Sequence, residues 1–508
     1  MLNKIDCLGR LYVQKLLTQR EYYAYFMTAA ILMLKFPFKL KRDQLEAVES
    51  WLANDCRGSV IFSTGTGKTE IAFECARRCA LKRFLPKSVT LNQGAETSEL
   101  NSPLPSTTTS FLPQTASSHF SSLSQNTQGS AVYPGNCMRA FNILFLVPRI
   151  VLIEQNVKRL LKYGLKEDHI GVYYGEGKDI KEITIGTYQS VKKKLELIRN
   201  ADMIILDEIH FLSKTATELE KIFDVIIENP QRAILGLTAT IDEKDPRYQT
   251  IMVVAPPVKR YMIKDAVADG RLARPEIIPI KVTLTNDEQR IYQQTTTRIK
   301  EISYKLHAFD AVQILAVLKN PNERYRASLA KAWFANVQKR KELLATTKNK
   351  LDEALKIVKN HRQEPVMIFS ETIASINKLK QILENSGIAA RTVHNSVKTK
   401  ERKKILQSWG KEYFALLSVH TLEIGYDIPN VRIAIIIANT SNINQIVQRI
   451  GRVIRKTIEK QSALIYVIYV NDTKEDNILR IVKSAINKSD PERDQEKAVQ
   501  QQLSFETQ

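Results

Sequence analysis

Ser59-Val60-Ile61-Phe62 runs into Ser63-Thr64-Gly65-Thr66-Gly67-Lys68-Thr69, and the pattern turns helical from Glu70. An apolar strand, a loop with two glycines and a helix that opens on Lys-Thr make a strand–loop–helix unit suited to phosphate. Glycine lets backbone N–H groups approach phosphate oxygens, and the helix N-terminus adds positive potential. The general G-x-x-x-x-G-K-[ST] pattern departs at its first position, here Phe62. Thr64, Gly65, Thr66, Gly67, Lys68 and Thr69 are the expected phosphate ligands, with the Thr69 hydroxyl turned toward a Mg²⁺ ion.

Moving outward, short apolar runs at residues 143–147, 183–185, 203–206 and 233–237 alternate with helical stretches. Continuous apolar strands separated by helices indicate a parallel sheet covered on both faces. A second set of strands begins at Val366-Met367-Ile368-Phe369 and continues at residues 415–418, 433–437 and 463–467. The fold class is therefore α/β, with two parallel-sheet domains and a helical insert between them. The expected order is an N-terminal helical segment 1–36, a first domain 37–255, a linker and basic helical arm 256–362, a second domain 363–489 and a loose tail 490–508.

Met203-Ile204-Ile205-Leu206 delivers Asp207-Glu208 at the C-terminal end of a strand, where parallel sheets bind ligands. An acidic pair after a strand is ordinarily a solvated loop. Downstream of a phosphate loop it points to nucleotide hydrolysis, with Asp207 holding Mg²⁺ and Glu208 orienting or deprotonating the attacking water.

The 508 residues carry 75 Lys+Arg against 54 Asp+Glu, a formal charge of +21 that suggests a polyanionic partner. The hydrophobic fraction of 44% excludes a wholly disordered chain. The longest uncharged apolar run, residues 22–34, falls short of the roughly 20 residues a spanning helix needs. No basic segment with a cleavable apolar stretch opens the chain, so no membrane partner and an intracellular location (cytoplasm, nucleus or nucleoid) are expected. Cysteines 7, 56, 75, 79 and 137 form no C-x-x-C pair, and Cys75 and Cys79 read as small buried residues. Residues 88–138 hold 18 Ser+Thr, four Pro and no Lys or Arg, which reads as a disordered insertion in the first domain.

Taken together, these residues resemble a helicase-superfamily-2 motor. Residues 63–69 resemble motif I, and Asp207-Glu208-Ile209-His210 the DExH form of motif II. Thr238-Ala239-Thr240 resembles motif III, which implies a coupling role for His210, Thr238 and Thr240. Pro148-Arg149 through Gln155 resembles motif Ia, with Arg149 in place of the usual Thr, and Thr187-Tyr188-Gln189-Ser190 resembles motif Ib. Gly425-Tyr426-Asp427-Ile428-Pro429 resembles motif V, and Gln448-Arg449-Ile450-Gly451-Arg452-Val453-Ile454-Arg455 motif VI.

The resemblance implies two RecA-like domains with ATP and Mg²⁺ between them, the metal held through water at Thr69 and Asp207. Lys68, Asp207 and Glu208 would stand on one wall, and Arg452 and Arg455 would be arginine fingers from the other. Gly425, Asp427 and Gln448 would line the nucleotide. Leu40-Lys41-Arg42-Asp43-Gln44 resembles the adenine-reading segment, with Gln44 facing the base. Arg149, Thr187, Gln189 and Thr421 are the implied nucleic-acid contacts.

Within the superfamily the chain is most similar to XPB-type and related DNA helicases and translocases, by the wording of motif VI, the Ile-Pro of motif V and the helical insert. It departs from them in having no Arg-Glu-Asp tripeptide. The implied function is an ATP-dependent DNA helicase or translocase that remodels duplexes or forks in repair or recombination. A DExH RNA helicase, and the motor subunit of a restriction or defence complex with a nuclease partner, stand as alternatives.

Residues 290–362 carry 16 Lys/Arg and 6 Asp/Glu, interleaved with Tyr292, Tyr304, Phe309, Tyr325, Trp333 and Phe334. Such an arm can track a backbone and stack bases, although Trp333-Phe334 reads as core. Lys398, Lys400, Arg402, Lys403 and Lys404 read equally well as a solvated helix face or a second contact, as does Lys192-Lys193-Lys194.

Overall fold

A computed structural model describes residues 29–84, 140–209, 216–239, 248–319, 324–419, 431–437, 450–451, 453–454 and 462–487. The expected helices before residue 29, the insertion 88–138 and the tail 490–508 lie outside them. Contacts divide the chain into two units. Met1–Thr28 with Leu81–Ala140 form one, and Ala29–Ala80 with Phe141–Gln508 form the other, which holds both sheets.

The first sheet is built from β1 (Arg57–Phe62), β2 (Ile143–Val147), β3 (Ile170–Tyr173), β4 (Lys178–Asp179), β5 (Ile183–Thr187), β6 (Met203–Asp207), β7 (Ala233–Thr238) and β8 (Pro257–Tyr261). Its order is β4-β3-β5-β2-β6-β7-β1-β8. All pairings are parallel except β3 with β4. Every residue of β2, β5 and β7 is buried, as strands covered on both faces must be. The helices that matter here are α1 (Arg42–Ala53), α2 (Lys68–Phe84) and α3 (Ile150–Lys162).

The second sheet contains β9 (Arg274–Val282), β10 (Val366–Ser370), β11 (Ala390–Val393), β12 (Ala415–Val419), β13 (Ile433–Ile436) and β14 (Ser462–Val470), in the order β11-β12-β10-β13-β14-β9. It is parallel throughout. The stretch expected as a linker thus supplies an edge strand to each sheet, β8 to the first and β9 to the second. Pro275 and Pro279 explain why β9 stays at an edge, since neither can donate to a second ladder partner. Their even spacing sends both missing N–H groups to the same, outer side.

Four helices follow β9: α4 (Asn286–Leu306), α5 (Ala311–Lys319), α6 (Arg324–Thr346) and α7 (Lys348–Asn360). A capping box starts α4: Thr285 Oγ1 accepts from Glu288 N at 3.4 Å, and Glu288 Oε2 accepts from Thr285 N at 2.9 Å. Ile299, Ile302, Leu306, Ile314 and Trp333 form a small core of their own. Trp333 Nε1 donates to Ser303 Oγ at 2.9 Å, which fixes the indole in that core. At the root of this arm Lys350 is fully buried, 2.7 and 2.9 Å from the two carboxylate oxygens of Glu475. Burial pulls its pKa down and Glu475 pushes it back up. No helix among the described residues is long and apolar enough to cross a membrane.

Candidate functional site

The C-terminal ends of β1, β6 and β7 stand side by side and place residues 63–69, 207–209 and 238–239 on one edge of the first sheet. The loop after β1 turns on Gly65 and Gly67, at φ values of 88° and 91° that favour glycine. Thr66 Oγ1 donates to Ser63 O at 2.7 Å, which closes the loop on itself. Lys68 Nζ donates to Phe62 O at 3.2 Å, so its ammonium lies folded over the loop it would serve.

Asp207 ends β6, and Glu208 follows it in the left-handed region at φ 51°. That conformation costs a non-glycine residue roughly 1–2 kcal/mol. It persists because both sides are held: Tyr188 Oη donates to Asp207 O at 2.8 Å and Ile209 N donates to Leu237 O at 2.9 Å. Burial, and then the Glu208 carboxylate, raise Asp207 well above the ordinary carboxylate range, while Lys68 and Arg159 act in the opposite direction. Asp207 and Glu208 are half-buried carboxylates side by side, an arrangement to which a divalent cation is suited. Hydroxyl and carboxylate oxygens from Thr69 and Asp207 suit Mg²⁺, which takes one or two protein oxygens and fills its shell with water and phosphate. Among the described residues no group of three or more His, Cys, Asp or Glu side chains is placed to hold a metal ion.

Gln44, expected to face a base, is 4% exposed and bonded to backbone instead. Its Oε1 accepts from Lys41 N at 2.9 Å, and its Nε2 donates to Thr66 O and Gly67 O, both at 3.3 Å. Arg271 enters the same place from the chain between β8 and β9. One guanidinium nitrogen donates to Asp43, and Nη2 donates to Thr66 O at 2.7 Å. Burial raises the Asp43 pKa, and Arg271 partly offsets that rise.

The segment resembling motif VI is described at residues 450, 451, 453 and 454. It reaches the phosphate loop: an ideal Cβ on Gly451 would lie 2.8 Å from Thr64 Cβ, so only glycine fits unless the loop gives way. Thr64 Oγ1 is buried beneath it with no hydrogen-bond partner among the described residues. His210, Thr240, Thr421, Gly425, Asp427, Gln448, Arg452 and Arg455 lie outside the described residues.

Of the expected nucleic-acid contacts, Arg149 is half-buried just before α3, and Gln189 is exposed. Thr187 is buried, and its hydroxyl accepts from Ser190 N at 3.2 Å and donates to Ser190 Oγ at 2.8 Å. In the basic cluster after β11, Arg402 is buried and bonds His394 O and Val397 O, while Lys398, Lys400, Lys403 and Lys404 are exposed. Arg402 is thus structural. In the arm, Tyr292 and Trp333 are buried, whereas Tyr304, Phe309 and Tyr325 are 67%, 62% and 71% exposed.

Comparison with known proteins places this geometry. Residues 348–457 match the helicase conserved C-terminal domain, and residues 123–243 match the family described as type III restriction enzyme, res subunit. A DNA 3'-5' translocase XPB2 from Sulfurisphaera tokodaii is 24% identical over 442 residues, covering 86% of this chain and 83% of that protein. The chain is similar to XPB-type superfamily 2 helicases. It is an ATP-hydrolysing enzyme on the same grounds, two helicase domains and XPB-named relatives. A DNA 3'-5' helicase XPB from Kineococcus radiotolerans is 28% identical over 346 residues, and the chain spans about half of it, 53%. The ATP-dependent type ISP restriction-modification enzyme LlaBIII, solved bound to DNA, superposes with a TM-score of 0.53 at 16% identity, over 89% of this chain and 30% of that one. That likeness carries the fold alone, two parallel-sheet α/β domains.

Proposed function

We propose that this helicase is an ATP- and Mg²⁺-dependent motor on DNA, inside the cell, that moves along one strand or a fork and remodels duplexes in repair or recombination. The DNA substrate follows the relatives, which are named as DNA helicases and translocases. The observation that carries the reading is the contact of Gly451 with Thr64. It supports the reading because Gly451, in the stretch resembling motif VI, lies against the loop that leads into Lys68.

In this reading the N–H groups of residues 65–69 bind the phosphates, and Lys68 leaves Phe62 O to reach the β/γ oxygens. Glu208, directed by its left-handed backbone, orients the attacking water. Thr69 and Asp207 would hold Mg²⁺, which would supply charge neutralisation at the phosphate oxygens. Arg452 and Arg455 complete the site as fingers, a class of residue worth about 10³–10⁵ in rate. The DNA backbone runs past Arg149 and Gln189, and contacts to phosphate carry little sequence preference. The basic arm adds Tyr304, Phe309 and Tyr325 as exposed stacking faces.

ATP hydrolysis is the test, measured with single-stranded, duplex or forked DNA or RNA, and with Lys68→Ala as the blank. Stimulation by a DNA form is expected. Preference for RNA would move the substrate, and no Lys68-dependent hydrolysis would remove the motor. The match to a restriction-enzyme subunit favours a second reading, the motor of a complex with a nuclease, and a nuclease that co-purifies with the chain would select it.

A further inference from the structure

Residues 271–273 touch two things that the chain keeps far apart in sequence. Arg271 donates to Thr66 O at 2.7 Å, across 205 residues, and Ala273 N donates to Ile454 O at 2.8 Å. Thr66 lies in the phosphate loop. Ile454 lies between the two arginines of the expected finger segment. Immediately afterwards the chain enters β9 and is committed to the second sheet opposite β14. Arg271 itself is firmly placed: it pairs with Asp43, both side chains are nearly buried, and its guanidinium carbon lies 5.9 Å from the Tyr261 ring centroid.

What Arg271 does to the loop follows from peptide geometry. A carbonyl oxygen has two lone pairs, and Thr66 O receives one donor from Arg271 and another from Gln44. In a planar trans peptide the carbonyl and the next N–H point in opposite directions. With Thr66 O drawn toward Arg271 and Gln44, the Gly67 N–H must face away from them. Gly67 O, held by Gln44, turns the Lys68 N–H in the same manner. These are the amides a phosphate would meet. Gln44 cannot do this alone, since its bonds to the two carbonyls are both 3.3 Å, at the long end for N–H···O.

We propose that Arg271 is a positioning residue of the nucleotide site, which orients the phosphate-binding amides through the Thr66 carbonyl and, through Ala273, ties that loop to the finger segment. The inference rests on the nucleotide reading above and deepens it. No ligand contact is assigned to Arg271. Its effect passes through the loop, so it falls first on nucleotide binding and on the KM for ATP.

The test uses the full chain with Arg271→Ala and Arg271→Lys, below the melting temperature of every variant. Equilibrium binding of fluorescent ADP is measured beside ATP saturation kinetics. Arg271→Ala is expected to weaken ADP binding and raise the KM for ATP by about tenfold, the worth of one charge-assisted hydrogen bond. A lysine ammonium reaches Asp43 or Thr66 O but lacks the fork that holds both, so Arg271→Lys should fall between. Arg199→Ala, which breaks an exposed pair with Glu228, should change neither quantity.

ADP affinity and KM within about twofold for Arg271→Ala would overturn the proposal, as would a fall in kcat with ADP affinity unchanged. Absence of hydrolysis by the unsubstituted chain would overturn the motor reading instead, and ADP binding would still decide the role of Arg271. Failure of the unsubstituted chain to bind ADP would overturn both.

Discussion

The nucleotide edge of the first sheet and the helical arm carry charge in opposite ways. At the edge, Lys68 rests on Phe62 O, Gln44 and Arg271 share Thr66 O, and Tyr188 holds the peptide of Asp207. On the arm, Tyr304, Phe309 and Tyr325 project into solvent, above a compact core closed by Trp333. The edge is preorganised: its groups are fixed before any ligand arrives, and each loss should be felt as lost chemistry. The arm presents many similar contacts, each modest, and its losses should add up as salt-sensitive affinity.

The largest effect expected is at the edge. Lys68→Ala, or Glu208→Gln, should lower ATP turnover by at least about 10²–10³-fold while nucleic-acid binding survives, as measured by phosphate release and by an oligonucleotide gel shift. Retained turnover in Glu208→Gln would break the comparison, because the strained carboxylate would then have no chemical task. At the root of the arm, Lys350→Ala leaves the largely buried Glu475 without its cation and should cost up to about 3–5 kcal/mol in urea unfolding.

Next come the two kinds of arm aromatic. Trp333→Ala should lose about 3–5 kcal/mol of stability. Tyr304→Ala and Tyr325→Ala should leave stability nearly unchanged and cost single-stranded DNA binding about 1–3 kcal/mol for each stacked base lost. Equal DNA affinity in both tyrosine variants would reduce the arm to a spacer.

The smallest effect concerns pH. Burial favours the neutral form of Glu74, but its bonds to Arg77 and Arg78 outweigh that and leave its pKa below the ordinary 4.5. A depressed carboxylate contributes its stability above the unfolded value and loses it as pH falls through the folded one. Thermal melts of the unsubstituted chain and of Glu74→Gln should therefore differ at neutral pH and converge as the pH falls through the depressed folded-state pKa, below the ordinary 4.5.

Much of this was legible from residue order. The strand before residues 63–69 and the strand that ends in Asp207 are local patterns, and local patterns survive folding because neighbours in sequence decide them. The two-sheet design was legible for the same reason, from runs of buried β-branched residues. Arg271, Tyr188 and Arg159 were not. Arg271 acts on a residue 205 positions away, in a stretch with no distinguishing pattern of its own. Thr187 was misleading in another sense, since a threonine before a short helix is as readily a cap as a contact, and here it bonds Ser190. The buried Arg402 sits among exposed lysines, and only the carbonyls of His394 and Val397 set it apart.

One further consequence comes from the way β9 is attached. Arg274 to Val282 lie in register with Ser462 to Val470, parallel and along their whole length. A pull on β9 directed along its own axis would load all of its hydrogen bonds to β14 together, in shear. Strands peeled from one end lose their bonds one after another at much lower force. Under such a pull the connection between the sheets is a tension member, and the nine-residue β9 should hold to β14 longer than the six-residue helix Ile263–Ala268 holds its shape.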